Sequence, residues 1–203
     1  MLNIHTLTLG AYGTNCYIVH DSASKTCCVI DPGYTPEKVL DEVSDLGLTV
    51  EAILLTHGHF DHVGGVKEIA AETGCDVYLC ADELTLPPQI TAGQLYYTKT
   101  YGEGDTLHLA GLTISVIRTP GHTPGSVCLL IGDAMFSGDT LFAGSCGRTD
   151  FPGGSMKQMM ASLARLAALP GDYRVLPGHM EPSTLDRERR FNPYMQMALR
   201  EQG

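Results

Sequence analysis

The amino-acid sequence predicts an α+β chain folded as a mixed sandwich of sheets and helices. Three observations carry this expectation. Short stretches of strand-like alternation recur along the chain, helical stretches fall between them, and no low-complexity segment or linker marks a domain boundary. The 203 residues, 43% hydrophobic and 18% charged, suit one sizeable domain with its own core.

Residues 2–9 and 15–20 alternate like strands around the turn GAYGT. CCVID at 27–31 is a short apolar run closed by the turn signal DPG. Residues 36–47 have helical spacing through Val39, Leu40, Val43 and Leu46, with Pro36 in the first turn and Gly47 as a stop. EAILL at 51–55 reads as a buried strand, 63–73 as a helix stopped at Gly74, and CDVYLC as another strand. Residues 81–103, with their PP dipeptide and Tyr96, Tyr97 and Tyr101, lack a period. Strands resume at 106–109, 112–118, 126–131 and 133–137. Residues 155–168 are strongly helical with Ser155 as N-cap, and YRVL at 173–176 is a last strand. Ser183 or Thr184 caps a short helix through Arg190, and Asn192 and Pro193 fit the cap and first position of another.

The composition excludes several classes. With 13 basic and 23 acidic residues the net charge is −10, and RERR at 187–190 is the one basic cluster, so nucleic-acid binding by a basic surface is not expected. Bound cations would neutralise part of that charge. No apolar run approaches a membrane span, and the opening MLNIHTLTLG lacks a basic region followed by a long apolar core. The cysteines, Cys16, Cys27, Cys28, Cys75, Cys80, Cys128 and Cys146, are odd in number and show no CxxC spacing. They read as free thiols of a reducing cytosol, mostly small core residues, Cys146 among them.

One stretch departs from ordinary globular usage. ILLTHGHFDHVGG places His57, His59, Asp61 and His62 directly after an apolar strand. His122 lies between two strands in TPGHTPGS, Asp139 follows a strand in SGDTLF, and His179 follows one in LPGHMEP. If these strand ends share one rim, the seven side chains converge. Seven are too many for one tetrahedral zinc and suit two metals. His57 and His59, two apart in extended chain, point the same way and with His122 form one face. Asp61, His62 and His179 form a second, and Asp139 can bridge the two with its two oxygens. Two metals about 3.5–4 Å apart hold a hydroxide and make it a nucleophile at neutral pH without a separate protein base. Asp61 and Asp139 are then the carboxylates closest to the chemistry. His5, His20 and His108 stand alone and carry no metal expectation, and Asp31 is expected to support a ligand rather than to be one.

At these residues the chain resembles the metallo-β-lactamase superfamily. THGHFDHVGG, TPGHTPGS, SGDTLF and LPGHMEP occur in order at the family's spacing, and the likeness runs from about residue 2 to 200. The resemblance implies a four-layer αββα sandwich with a dinuclear metal site at one edge between the two sheets. It implies all seven ligands, with Asp139 as the bridge and zinc as the metal, iron or manganese being alternatives. Asp139 in place of a cysteine, CGRTDFPGGS, and RERRFNPYM resemble the small single-domain hydroxyacylglutathione hydrolase branch, the glyoxalase II type. That branch implies hydrolysis of S-D-lactoylglutathione or a related thioester; the cysteines, the charge and the lack of a long apolar run already point to the cytoplasm and away from nucleic-acid and membrane partners. Larger members carry a C-terminal helical domain that supplies much of the glutathione site; residues 1–203 are expected to form a single domain without it. Substrate contacts are then expected from Arg148, Tyr96, Tyr97 and the 84–101 segment, Asp150 being a local ion-pair partner for Arg148.

Rival functions differ in chemistry. A persulfide dioxygenase of the same superfamily would use one iron on residues matching His57, His122 and Asp139. Hydrolysis of another ester, lactone or phosphodiester is a second alternative. β-Lactamases differ at the Asp139 position, and flavin-linked oxygen reductases carry a carboxylate where His59 stands. A non-enzymatic binding scaffold would be expected to have lost a ligand, and none is lost here.

Overall fold

Alternating side chains sort into two faces on almost every strand, and that period builds the layers. The structure, a computed structural model, describes residues 1–201. One six-stranded sheet runs in chain order through β1 (Leu2–Leu9), β2 (Thr14–Asp21), β3 (Thr26–Ile30), β4 (Thr49–Leu54), β5 (Asp76–Cys80) and β6 (Lys99–Tyr101). It is antiparallel over β1–β3 and parallel from β3 to β6. The other six-stranded sheet is ordered β14 (Ser183–Thr184), β13 (Arg174–Pro177), β10 (Ala134–Gly138), β9 (Val127–Ile131), β8 (Leu112–Arg118) and β7 (Thr106–Leu109). A small hairpin, β11 (Leu141–Phe142) and β12 (Ser145–Cys146), stands beside it.

In β2, Tyr17 and Val19 turn inward to meet Phe136, Leu129 and Ile114 of the second sheet, while Cys16 and Ile18 turn outward. The outward set is covered by α1 (Pro36–Asp45) and α3 (Val66–Thr73) through Val39, Val43 and Ile69. Met135 and Val175 point to the far side of the second sheet, where α4 (Met156–Ala167) and α6 (Pro193–Glu201) cover them with Met159, Leu163 and Met195. The result is the expected αββα sandwich of four layers. Truncating fully buried Phe136 to alanine would cost about 3–5 kcal/mol. No helix of the described residues is long and apolar enough to cross a membrane.

Local signals act as the residues suggest. Ser155 Oγ accepts from Gln158 N at 3.3 Å and caps α4. Thr184, not Ser183, caps α5 (Leu185–Phe191). Asn192 Oδ1 accepts from Tyr194 N and Met195 N at the start of α6. Three expectations change. The helix read at 63–73 is two, α2 (Phe60–Val63) and α3, divided at Gly64 and Gly65. A Cβ on Gly65 would lie 2.7 Å from the Gly33 carbonyl oxygen, so the chain needs glycine there to pass the DPG turn. The 81–103 region holds a 3₁₀ turn at Ala81–Thr85 and strand β6. Cys146 is half-buried on a hairpin edge instead of buried, because its strand is only two residues long; all seven cysteines are free.

Candidate metal centre

The parallel strands β4, β10 and β13 end at the same edge, the place where open sheets offer their carboxyl ends to ligands. β4 leads into His57, β10 into Asp139 and β13 into His179, while the turn between β8 and β9 supplies His122. Val127 N donates to Thr56 O at 2.9 Å, pinning one sheet's edge to the other. Tyr17 Oη donates to Pro177 O at 2.6 Å, and Asn15 Nδ2 to Pro177 O and Met180 O at 3.1 and 2.9 Å, so β2 fixes the His179 turn.

All seven predicted residues lie in one nest. His57, His59 and His122 each place a donor atom within 4.8 Å of the others, and Asp61, His62 and His179 do the same. His59 Nδ1 is 2.8 Å from His122 Nε2, and His62 Nε2 is 3.3 Å from His179 Nε2. The two halves adjoin: the rings of His57 and His62 are centred 4.1 Å apart. Asp139 stands between them. Its Oδ1 is 3.5 Å from His62 Nε2, and its Oδ2 is 3.5 Å from His122 Nε2 and 3.6 Å from His179 Nε2.

The outer ring nitrogens are held by neighbours, which aims the inner ones. His122 Nδ1 lies 2.7 Å from Arg148 O, and His62 Nδ1 lies 3.0 Å from Asp31 Oδ2. Asp31 also accepts from Thr56 N at 2.8 Å and Thr56 Oγ1 at 2.5 Å, so both its oxygens are occupied behind His62. Thr14 Oγ1 donates to Asp61 Oδ2 at 3.2 Å.

The nest fits cations. His57 Nε2, His59 Nε2 and Asp139 Oδ1 are buried without a hydrogen-bond partner, a rare condition for polar atoms and one that lone pairs facing a metal resolve. The electrostatics agree. Burial, then the charge of His62, lowers the His57 pKa, and burial with His122 brings His59 down to about 4, so both favour the neutral, ligating form. Burial opposes charge on Asp61, but the His179 bond and His62 outweigh it and hold the carboxylate ionised. Burial also works against charge on His62, yet Asp139 and Asp31 raise it to about 9. A buried imidazolium among carboxylates is the proton's substitute for a cation.

The expected substrate residues are placed differently. Arg148 is exposed at the rim, bidentate to Asp150 at 2.7 and 2.8 Å and stacked 3.8 Å over Phe151, whose ring meets His59 edge-on. Tyr96 and Tyr97 are 41% and 39% exposed and border a surface groove with Lys67, Gln94 and Leu95, none of them a residue of the nest. His5 and His20 stack on each other at 5.9 Å, and His108 contacts Thr113. One buried carboxylate beside the nest escapes sequence reasoning. Glu83 accepts from Gly58 N and Gly125 N, and its one signal, an acid in a segment that follows a buried strand, is common to many exposed turns.

A sandwich that gathers imidazoles and carboxylates at the edge between its sheets is a metalloprotein built for divalent cations. The chain belongs to the metallo-β-lactamase superfamily, whose family model matches residues 9–179. It is 31% identical to the hydroxyacylglutathione hydrolase GloC of Haemophilus influenzae, over 96% of this chain and 98% of that one. Among solved structures it is similar to the BLEG-1 B3 metallo-β-lactamase, with a TM-score of 0.88 and 31% identity over 96% of this chain and 99% of that one. It is also similar to TTHA1623 in a di-iron-bound form, with a TM-score of 0.83 and 38% identity over 94% and 99% of the two chains. Members of the superfamily include metal-dependent hydrolases.

Proposed function

We propose that the protein is a thioesterase that hydrolyses S-D-lactoylglutathione or a related acyl thioester at two divalent cations. The observation that carries this reading is the paired nest with Asp139 between its halves. Likeness to GloC over nearly all of both chains supports the substrate class. His57, His59 and His122 would hold one cation, Asp61, His62 and His179 the other, and Asp139 both. Zinc suits this donor set, with iron or manganese as alternatives. Bound there, two divalent cations would supply an acidified water as nucleophile and polarisation of the thioester carbonyl.

The chain's own residues do the rest. Asp61 and Asp139 would be the carboxylates closest to the attacking hydroxide, with no separate protein base needed. The Arg148 carbonyl and Asp31 keep His122 and His62 aimed inward. No covalent intermediate is needed: burial pushes the Cys146 thiol up to about 11, so it stays protonated and unreactive near neutral pH. Arg148, on the rim above Phe151, offers a cation to a carboxylate of the thiol carrier.

The test is hydrolysis of S-D-lactoylglutathione by metal-analysed protein, with Asp139→Ala as control. A kcat/KM of about 10⁴ M⁻¹s⁻¹ or more, lost in the variant, supports the reading. Full activity in metal-free protein overturns the mechanism. Turnover of a β-lactam, another ester or a phosphodiester in its place moves the substrate class. Oxygen uptake with glutathione persulfide and a single bound iron replaces hydrolysis with oxygenation.

A further inference from the structure

The carboxylate of Glu83 is buried to 0% exposure beside the nest, and its hydrogen bonds go to backbone amides and not to any of the seven donor side chains. It sits in the 3₁₀ turn after β5. Its Oε2 accepts from Gly58 N at 2.5 Å, and its Oε1 accepts from Gly125 N at 2.6 Å. Gly58 separates His57 from His59 on the first sheet's edge. Gly125 follows His122 by three residues on the second sheet's edge. One planar group therefore joins the two loops that carry the three-histidine half, and it joins them across the gap between the sheets.

This carboxylate crowds both glycines, at Gly58 together with the Leu95 side chain. Neither adopts a left-handed backbone, so conformational freedom does not demand glycine at either position. A Cβ on Gly58 would lie 3.0 Å from Glu83 Oε2, and one on Gly125 would lie 2.8 Å from Glu83 Oε1 and from its backbone nitrogen. At Gly125 a bare Cα is what lets the carboxylate reach the amide, and at Gly58 a Cβ would press on both the carboxylate and Leu95. An apolar residue would fill the same space without the desolvation cost of a buried acid. What the acid adds is two acceptors on a fixed fork, each taken by the amide of a different ligand loop.

We propose that Glu83 is a positioning residue: it sets the spacing of the His57–His59 loop against the His122 loop, and so pre-forms the three-histidine half of the metal centre. This rests on the metal-centre reading above and adds an asymmetry to it. Glu83 has no hydrogen bond to Asp61, His62 or His179, so its direct effect falls on the three-histidine half.

The test is Glu83→Gln, which puts an amide donor where one of the two loops already offers an N–H. Metal-free wild type and variant are titrated with zinc against a chromophoric chelator, and far-UV circular dichroism checks the fold. The expected result is two zinc ions in wild type, and in the variant one ion held as in wild type and one weakened by about 10–100-fold. Two ions of unchanged affinity in the variant, or equal weakening of both, overturns the proposal. A wild type that binds neither zinc nor iron nor manganese overturns the metal-centre reading and this inference with it. If Glu83→Gln fails to fold, amide hydrogen exchange on metal-free wild type decides. Slow exchange at Gly58 and Gly125 supports the pre-formed loops, and exchange at the rate of free loops overturns them.

Discussion

Asp31 Oδ2 lies 3.0 Å from the outer nitrogen of His62, and both side chains are buried. The same carboxylate takes the Thr56 amide and hydroxyl, one residue before His57. It therefore orients a residue of one half of the nest and the backbone that leads into the other. Asp31→Ala is expected to lower zinc affinity by about 10–100-fold at both sites, against one site for Glu83→Gln. Chelator competition on the two variants side by side checks this, and unchanged binding in Asp31→Ala refutes it.

Gly178 marks how little room the nest has. A Cβ there would lie 2.6 Å from His62 Cε1 and would also collide with Asp139 Oδ1. Gly178 does not have a positive φ, so alanine brings no backbone strain with it. Its effect falls on the side chains of the centre. Gly178→Ala is expected to stay folded and to lose about 10²-fold or more in kcat/KM, a displacement of about 1 Å being enough for that. Melting temperature and metal content measured together separate this outcome from unfolding.

The metal-free protein carries opposed histidine shifts, and they set a stability optimum. His62 is raised to about 9, by Asp139 and Asp31 against the effect of burial. Its contribution is fully present below the unfolded value of about 6.5 and is lost as pH rises through 9. Burial lowers His59 to about 4 and lowers His57 as well. Their contribution is present above about 6.5 and is lost as pH falls toward 4. The metal-free melting temperature is expected to peak near pH 7 and to fall on both sides. Zinc should abolish the alkaline fall, since it takes the place of the His62 proton. A metal-free protein that grows steadily more stable from pH 7 to 9 contradicts this account.

The sequence shows the centre's donors because they are chemically costly and crowded. Four of them fall within six residues after an apolar strand, and the rest follow strands in short glycine-bearing turns. The layers are legible for a similar reason: period-two strands and Val39, Val43 and Ile69 at helical spacing state which faces are buried. What stays hidden depends on distant partners. Glu83 acts on residues 25 and 42 positions away, and nothing local distinguishes it from Asp82, which pairs with Arg118. The break between α2 and α3 is set by the approach of Gly33 to Gly65, again a tertiary contact. β6 is three residues long, too short to show a period.

Arg148 already has a partner, and this fixes what its substitution should do. The guanidinium is bidentate to Asp150, and both side chains are exposed at the rim. An anionic thiol carrier must compete with Asp150 for it. The guanidinium also stacks on Phe151, whose ring meets His59, a contact that does not involve Asp150. Exposed charge pairs are weak, so Arg148→Ala is expected to raise KM for S-D-lactoylglutathione by roughly 2–5-fold. On the proposed function, a contact to the thiol carrier would lie away from the reacting carbonyl and be the same in ground and transition states, so kcat should hold. Asp150→Ala is expected to act in the opposite direction, freeing the guanidinium and lowering KM. Both KM effects should shrink in high salt as the charges are screened. If the two variants raise KM together, Arg148 serves the rim's structure and glutathione is recognised elsewhere.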